Sequence, residues 1–370
     1  MSTILGNSNN GAITASTSNG INNLSINVLH GTALTPVASN TLEFTCVASA
    51  INTGIEILET PEGRDALRSL GSKVVAEWEH RNPGIRTFSG DPTQMRGYVD
   101  FFLKSIRADF LWVALAEHPI DVTAAYERAQ LVQWDVRTWQ PKRSGNFSFN
   151  LSKVNAMVAA AQGPHDKAVA PKMADRYRRF QFLFSVAAAH ELTHAFVAYL
   201  SGAATTFNSS TPPSVSFLDY GIQQIANGGA GGESGRWFEN KLFGGSLECY
   251  RDIKDDNGQC GLAHILDEHE VARPISMATM LTVIGNKRTF QFPFVSPGAK
   301  GLTPAERQAK QMRRLGAIHH PVQPQAGRSF MQALFEPQNG TKKYRYNVKK
   351  SDLLPLGLHP ATSVKAVLVK

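Results

Sequence analysis

The stretch HELTH, residues 190–194, places two imidazoles and a carboxylate inside an apolar run that extends from residue 185 to residue 202. On an α-helix, residues four positions apart lie one turn from each other on the same face. His190 and His194 can therefore each present one imidazole nitrogen to a single zinc ion, at about 2.0–2.1 Å. Glu191 lies to one side of that face, where it is poorly placed as a third ligand. It can instead act as the general base towards a water held by the metal.

The apolar surroundings of this motif also favour a metal. Two imidazoles and a carboxylate buried without partners would lower the stability of the fold considerably. A bound cation supplies the missing compensation. The sequence therefore predicts Zn²⁺ as a cofactor, in preference to a core helix whose histidines are only hydrogen-bonded.

A catalytic zinc site needs a third protein ligand and an open fourth position. No third histidine follows His194 at the short spacing H-x-x-G-x-x-H, which argues against a three-histidine site. The downstream side chains that could complete the site are those of Glu233, Glu239, Glu248, His264 and His269.

With this motif the sequence resembles the gluzincin branch of the zincin metallopeptidases. In that branch the third ligand is a Glu on a second helix, often introduced as Asn-Glu or Gly-Glu. The segment GGESGRWFE, residues 231–239, is similar, so the resemblance implies that Glu233 is the third ligand. Gly232 and Gly235 would let the second helix approach the first. Residues 233–245 also resemble a group of fungal proteins that pair HExxH with GESGRxxE…LFGG.

The resemblance covers about fifty of the 370 residues, and the sequence departs from the family pattern twice. The interval between His194 and Glu233 is 38 residues, longer than in the compact members, and its composition predicts an inserted loop. Trp237 occupies the position where some members place an Asp that supports the first histidine. Glu239 is expected to hold the outer nitrogen of His190 instead, and it is also the second candidate for the third ligand.

Four further side chains are weaker candidates. Arg236 lies one turn after Glu233, where it could bind a substrate carboxylate or pair with an acidic neighbour such as Glu239. Tyr220, Tyr250 and His269 are candidate donors to an oxyanion in the transition state. For each of them an ordinary core or surface role is the alternative.

The fold expected from these patterns is α+β, mainly helical and zincin-like, with a small mixed β-sheet and an HExxH helix. Residues 1–40 are predicted to be a flexible tail, and residues 41–370 a single zincin-like catalytic domain. That domain divides into a helical N-terminal part (41–143), a metal-site part (144–270) and a C-terminal part (271–370). Helices are predicted over residues 60–80, 92–116, 121–139, 154–161, 172–200, 233–242 and 303–314, and strands over residues 147–151 and in the C-terminal tail.

Composition sets the broad class. The apolar share of 42% and the charged share of 18% are typical of a globular protein. A net charge of +8 without a nucleic-acid-binding motif argues against a nucleic-acid partner. Residues 180–200 contain too many polar side chains for a membrane span. Three cysteines and no recognisable signal peptide predict a cytoplasmic protein, and the oligomeric state is left open.

The expected function is that of a zinc-dependent hydrolase, most simply a metallopeptidase with Glu191 as general base. The strand at residues 147–151 is expected to be the sheet edge along which an extended peptide substrate would lie. A zincin-fold metalloenzyme acting on a small-molecule natural product is an alternative, since glycines and the Trp237–Phe238 pair would suit a closed pocket. A non-catalytic zincin-like protein with a structural metal is a second alternative.

Overall fold

A computed structural model of the chain describes residues 20–31, 33–119, 122–129, 134–163, 169–202, 211–218, 231–285, 289–295, 298–317, 344–349 and 367–369. These residues form an α+β structure with two β-sheets, and about 48% of them are helical. This confirms the class expected from the sequence. Its helices are α1 (Leu42–Glu59), α2 (Pro61–Arg81), α3 (Met95–Ala108), α4 (Pro141–Ser144), α5 (Leu151–Gln162), α6 (Ala170–Ser201), α7 (Ser234–Phe243), α8 (Met277–Ile284) and α9 (Pro304–Ala309).

The larger sheet has seven strands among the described residues. They are β1 (Ile21–His30), β2 (Ala33–Pro36), β3 (Trp112–Ala116), β4 (Ala124–Arg128), β5 (Gly145–Asn150), β10 (Arg345–Val348) and β11 (Val367–Val369). Their order is β11-β10-β1-β3-β5-β4, with β2 paired to β1. Strands β1, β3 and β5 are parallel, whereas β4 pairs antiparallel to β5 and is the outermost strand at its end of this order.

The smaller sheet is antiparallel throughout. It consists of β6 (Ser246–Tyr250), β7 (Leu262–Leu266), β8 (Ala272–Pro274) and β9 (Arg314–Ala317), in the order β8-β7-β6-β9. Strand β6 follows α7 after a turn at Gly244 and Gly245, so the smaller sheet begins directly behind the second helix of the predicted metal site.

The HELTH helix α6 runs through the core. From Phe180 to Ser201 its residues are buried except for the half-buried His194, as expected of a helix segment that is apolar all round, whereas its first ten residues are mostly exposed or half-buried. Among the described residues it is the one helix long and apolar enough to span a membrane, but 94% of its apolar window is buried inside the protein. A Cβ at Gly54 of α1 would lie 2.6 Å from the Cβ of Ala188, so the backbones of α1 and α6 touch just before His190.

Several local signals were predicted correctly. Thr60 caps α2 and is followed by Pro61. The side chain of Thr303 and that of Glu306 form the expected capping box at α9. Strand β5, helix α5, helix α6 and helix α7 lie where the sequence predicts them, and the C-terminal tail contributes β10 and β11. These features depend on residues close together in the chain, which is why they can be predicted.

Two predicted helices are wrong over much of their length, and a third, predicted over residues 303–314, ends at Ala309 because β9 begins at Arg314. The helix expected over residues 92–116 ends at Ala108, and residues 112–116 form β3 between two parallel neighbours. A strand buried on both faces is continuously apolar and cannot be told from a helix by periodicity alone. The helix expected over residues 121–139 is also absent from residues 122–129 and 134–139, because residues 124–128 form β4 on the edge of the sheet.

The prediction of a flexible tail over residues 1–40 is wrong for residues 21–30 and 33–36, which form β1 and β2. Ile21, Leu24 and Ile26 are buried in the main core because β1 lies in the middle of the sheet. Residues 1–19 lie outside the described residues. The part expected to be helical, residues 41–143, likewise contains β3 and β4. The strand predicted as the sheet edge is not an edge either, since β5 lies between β3 and β4.

Candidate metal centre

Helix α6 and the first residue before α7 bring three side chains together. The Nε2 atoms of His190 and His194 are 3.3 Å apart. The carboxylate of Glu233 places Oε1 3.2 Å from His194 Nε2 and Oε2 3.4 Å from His190 Nε2. Among the described residues this is the one group of three or more potential ligands whose donor atoms lie within 4.8 Å of one another.

These distances fit a tetrahedral zinc ion. Two ligand atoms that each lie about 2.0–2.1 Å from a tetrahedral ion are about 3.3 Å apart. The two Nε2 atoms are 3.3 Å apart, and each lies at a similar distance, 3.2 or 3.4 Å, from a different oxygen of Glu233. Each separation is close to one edge of such a tetrahedron, and with one oxygen taken from Glu233 the three donor atoms lie within 4.8 Å of one another. Two imidazole nitrogens and a carboxylate oxygen are also the donor set of known catalytic zinc sites. The residues present therefore fit the metal that the sequence predicts.

The outer nitrogen of His190 is held by Glu239. The Glu239 carboxylate is fully buried and lies 2.8 Å from His190 Nδ1. Its other oxygen accepts hydrogen bonds from the hydroxyl of Ser246 and the backbone N–H of Leu247. A carboxylate in this position requires the proton on Nδ1, so Nε2 is the nitrogen that can release its proton and offer a lone pair to a metal.

The outer nitrogen of His194 has a different partner. The hydroxyl of Ser234, the first residue of α7, lies 2.9 Å from His194 Nδ1. Thr211 in turn donates to Ser234 Oγ at 3.4 Å. The two histidines are therefore oriented by one charged group and one neutral group, both carried by α7. Glu239 acts behind His190, and Glu233 alone of the two carboxylates faces both Nε2 atoms.

The two glycines expected to allow a close approach do so. A Cβ at Gly235 would lie 2.3 Å from His190 Nε2, so only glycine lets the first turn of α7 lie against the imidazole ring. A Cβ at Gly232 would lie 1.9 Å from the carbonyl oxygen of Pro212. Both contacts bring the two residues between these glycines, Glu233 and Ser234, up to the α6 histidines.

A short segment, residues 211–215, fixes the backbone around Glu233. The Gly232 N–H donates to the Thr211 carbonyl at 2.9 Å, and the Glu233 N–H donates to the Val215 carbonyl at 2.8 Å. This part of the long connection therefore positions the third ligand candidate. The sequence predicts only loop composition there.

Glu191 lies beside the three ligand candidates and is buried. Its Oε2 accepts a hydrogen bond of 2.8 Å from the backbone N–H of Tyr126 on β4. Its Oε1 is 3.9 Å from His190 Nε2. The carboxylate is thus adjacent to the metal side of the histidines without replacing Glu233 there.

The charges of this centre are strongly coupled. Burial raises the pKa of Glu191 to about 7, although the neighbouring histidines favour its ionised form. Burial also opposes charge on His190, but Glu233 and Glu239 outweigh it and raise the imidazole pKa to about 10 in the metal-free protein. The two histidines hold the pKa of Glu233 well below its ordinary value against the effect of burial. A divalent cation would take over the role of these protons.

Arg236 does not reach a substrate position. Its side chain is buried, and its guanidinium lies 3.6 Å from the carboxylate of Glu248 on β6. Its backbone N–H donates to Glu233 Oε2 at 3.3 Å, which makes Glu233 the N-cap of α7. Of the two alternatives for Arg236, its burial and this contact favour a pair with an acidic neighbour, and the neighbour that the ion-pair distance identifies is Glu248.

The remaining candidates lie elsewhere. Tyr250 is buried on β6, where its ring packs against His264 and Arg307. The side chain of His269 is 79% exposed beside Glu268, so it is a surface residue and not an oxyanion donor. Tyr220 lies outside the described residues. Glu248 and His264, considered as third ligands, are paired on neighbouring strands of the smaller sheet and do not join the three ligand candidates.

Two groups at the centre were not predicted. Ser234 has a weak signal, since it directly follows the predicted ligand Glu233. The N–H of Tyr126 has no sequence signal, because it is a backbone group on a strand over which the sequence predicts a helix.

Comparison of the chain with protein-family models, with curated proteins and with solved structures finds no match.

Proposed function

We propose that the protein is a zinc-dependent hydrolase of zincin type, in the first place a metallopeptidase. The observation that carries the proposal is the convergence of His190, His194 and Glu233 at zinc-like spacings with Glu191 held next to them. The resemblance of HELTH and GGESGRWFE to the gluzincin pattern supports the same assignment. His190, His194 and Glu233 would be the ligands, and Glu191 the general base.

When bound, zinc lowers the pKa of a water molecule and polarises a substrate carbonyl. Glu191 Oε1 would accept the proton of the attacking water and deliver it to the leaving amine. Burial raises the pKa of Glu191 to about 7 in the metal-free protein, and a divalent cation beside it would favour the ionised form, which is the form that accepts a proton. Glu239 and Ser234 would keep both imidazoles in the tautomer that offers Nε2.

Strand β4 supports an extended peptide as substrate. It is the outermost described strand of the larger sheet at this end, and it contacts the metal helix through Tyr126 and Glu191. A strand edge next to a catalytic centre can bind an extended chain by backbone hydrogen bonds. Residues 124–128, and not residues 147–151, would therefore be the sheet edge along which an extended peptide lies.

The test combines metal analysis with cleavage of a dye-labelled peptide library. The wild-type protein, purified without chelator, should carry one zinc and cleave peptides. His190→Ala should lose the metal. Glu191→Gln should keep the metal and lower kcat by about 10²- to 10⁴-fold, the usual contribution of a general base.

Matched controls separate these effects from loss of folding. His264→Ala removes another buried histidine and should leave the zinc content unchanged. Glu268→Gln removes an exposed carboxylate and should leave kcat unchanged. A wild-type protein without zinc would refute the proposal. Stoichiometric zinc without peptide cleavage would refute the peptidase assignment and favour a small-molecule substrate or a structural metal.

A further inference from the structure

The hydrogen bond between Glu191 and Tyr126 joins the predicted base to the backbone of the neighbouring sheet. The donor is the main-chain N–H of Tyr126, and the acceptor is Glu191 Oε2, 2.8 Å away. The two residues are 65 positions apart in sequence. Glu191 is buried, so water does not offer its carboxylate the usual alternative partners.

The direction of this N–H follows from the pairing of β4 with β5. In an antiparallel pair, alternate residues direct both backbone groups towards the partner strand. Thr123 and Ala129 use theirs to bond to Asn150 and Ser144, at the two ends of the ladder. The alternation then directs the backbone groups of Tyr126 away from β5, towards α6, and its N–H is available to a side chain without loss of a sheet hydrogen bond.

The bond gives the two oxygens of Glu191 different surroundings. Oε2 is fixed by β4, whereas Oε1 lies 3.9 Å from His190 Nε2 and faces the three ligand candidates. A glutamate side chain has three rotatable bonds, and a carboxylate held at one oxygen loses most of that freedom. Orientation of a reacting group within a fraction of an ångström has large effects on rate.

We propose that the backbone N–H of Tyr126 is a positioning group for the general base, which anchors Glu191 Oε2 so that Oε1 is the proton-accepting atom. This inference rests on the proposed function for its catalytic consequence. Strand β4 would then have two roles: it presents a sheet edge to the substrate, and it sets the orientation of the base.

Amide hydrogen exchange, read residue by residue by NMR, tests the anchor without reference to activity. The Tyr126 amide should exchange slowly in the wild type and in Glu191→Gln, because the glutamine side-chain oxygen can still accept the bond. It should exchange at least about tenfold faster in Glu191→Ala, which removes the acceptor. The amides of Ala125 and Glu127 face β5 and serve as internal controls for opening of the strand.

Proline at residue 126 tests the catalytic consequence. Proline has no N–H, and it is tolerated on an edge strand where that N–H does not belong to the ladder. Tyr126→Ala removes the same ring but keeps the N–H, so it is the matched control. Ala124→Pro is a control for the proline itself, because residue 124, like residue 126, directs its backbone N–H away from β5. Relative to Tyr126→Ala, Tyr126→Pro should lower kcat by about 10- to 100-fold, with KM and zinc content unchanged.

Two results would overturn the inference. One is exchange of the Tyr126 amide that is unchanged by Glu191→Ala although the wild-type protein is active. The other is equal kcat for the proline and alanine variants at residue 126. A wild-type protein that binds no zinc and cleaves nothing refutes the proposed function instead, and zinc content distinguishes that failure from the other two.

Discussion

Replacement of Glu239 by glutamine should weaken metal binding although Glu239 is not a ligand. Its Oε1 lies 2.8 Å from His190 Nδ1, while its Oε2 accepts the Ser246 hydroxyl and the Leu247 N–H. Glutamine offers one acceptor and one donor. If its oxygen faces His190, its amide group meets the N–H of Leu247. If the side-chain amide is in the opposite orientation, its NH₂ group donates to Nδ1 of His190. The imidazole proton must then move to Nε2, the nitrogen that would bind the metal.

The size of the effect follows from this conflict. Loss of an outer partner of a metal-ligating histidine weakens metal affinity by about 10- to 100-fold, which is about 1.4–2.7 kcal/mol. The site is fully buried, so water cannot restore the missing hydrogen bond. The metal-free protein should also lose about 1–3 kcal/mol of stability, the usual effect of one unsatisfied buried group.

Competition with a chromophoric chelator measures the zinc affinity, and urea unfolding of the metal-free protein measures the stability. Glu248→Gln is the matched control, since Glu248 is an equally buried carboxylate on β6 that pairs with Arg236 and not with a ligand candidate. It should leave the zinc affinity unchanged. Wild-type zinc affinity in a folded Glu239→Gln protein would refute the reasoning.

Three further outcomes are expected. Gly235→Ala should weaken zinc binding in the same competition assay, because its Cβ would lie 2.3 Å from His190 Nε2, although alanine normally favours a helix by about 1 kcal/mol; wild-type affinity would show that α7 can move away. Lys142, whose pKa burial lowers from 10.5 to about 7, binds fewer protons in the folded than in the unfolded state over that interval. Unfolding free energy should therefore rise with pH between about 7 and 10.5, by at most about 1.4 kcal/mol per pH unit. Lys142→Met should remove that contribution from the pH series, and identical slopes would contradict it. Finally, a chelator should lower the melting temperature, since a metal at 100 times its Kd adds about 2.7 kcal/mol of stability; no shift in calorimetry would mean that no metal was bound.

The ligand pair on α6 could be predicted because its geometry is local. His190 and His194 are four residues apart, and any α-helix brings them to one face. The caps formed by Thr60 and Thr303 are local in the same sense. Glu233 needed the resemblance to a known pattern, because the chain between His194 and Glu233 has no regular periodicity from which a distance could be inferred.

The partners that complete the centre could not be predicted, because they depend on strand pairing and on the backbone. Tyr126 acts through its N–H, which every residue except proline carries, so no side-chain signal exists. The sequence predicts a helix over β4, because these residues form a strand only through their pairing with β5, which lies later in the chain. The ion pair of Arg236 with Glu248 also depends on β6, which brings Glu248 to α7. Likewise, β1 is a central strand only because β3 and β10 pair with it.

Glu233 caps α7 and, in the proposed site, would also bind the metal, which would couple metal binding to the order of α7. Its Oε2 accepts the Arg236 N–H and so caps the helix, while Oε1 lies 3.2 Å from His194 Nε2. The positive end of a helix dipole favours a negative charge, so α7 helps to keep Glu233 ionised, the state that a cation requires. A cation bound at this carboxylate also fixes the first turn of α7, and that turn carries Gly235 against His190 and Ser234 against His194. The ligand, its helix cap and one outer partner are therefore ordered together, since the same turn of helix holds all three.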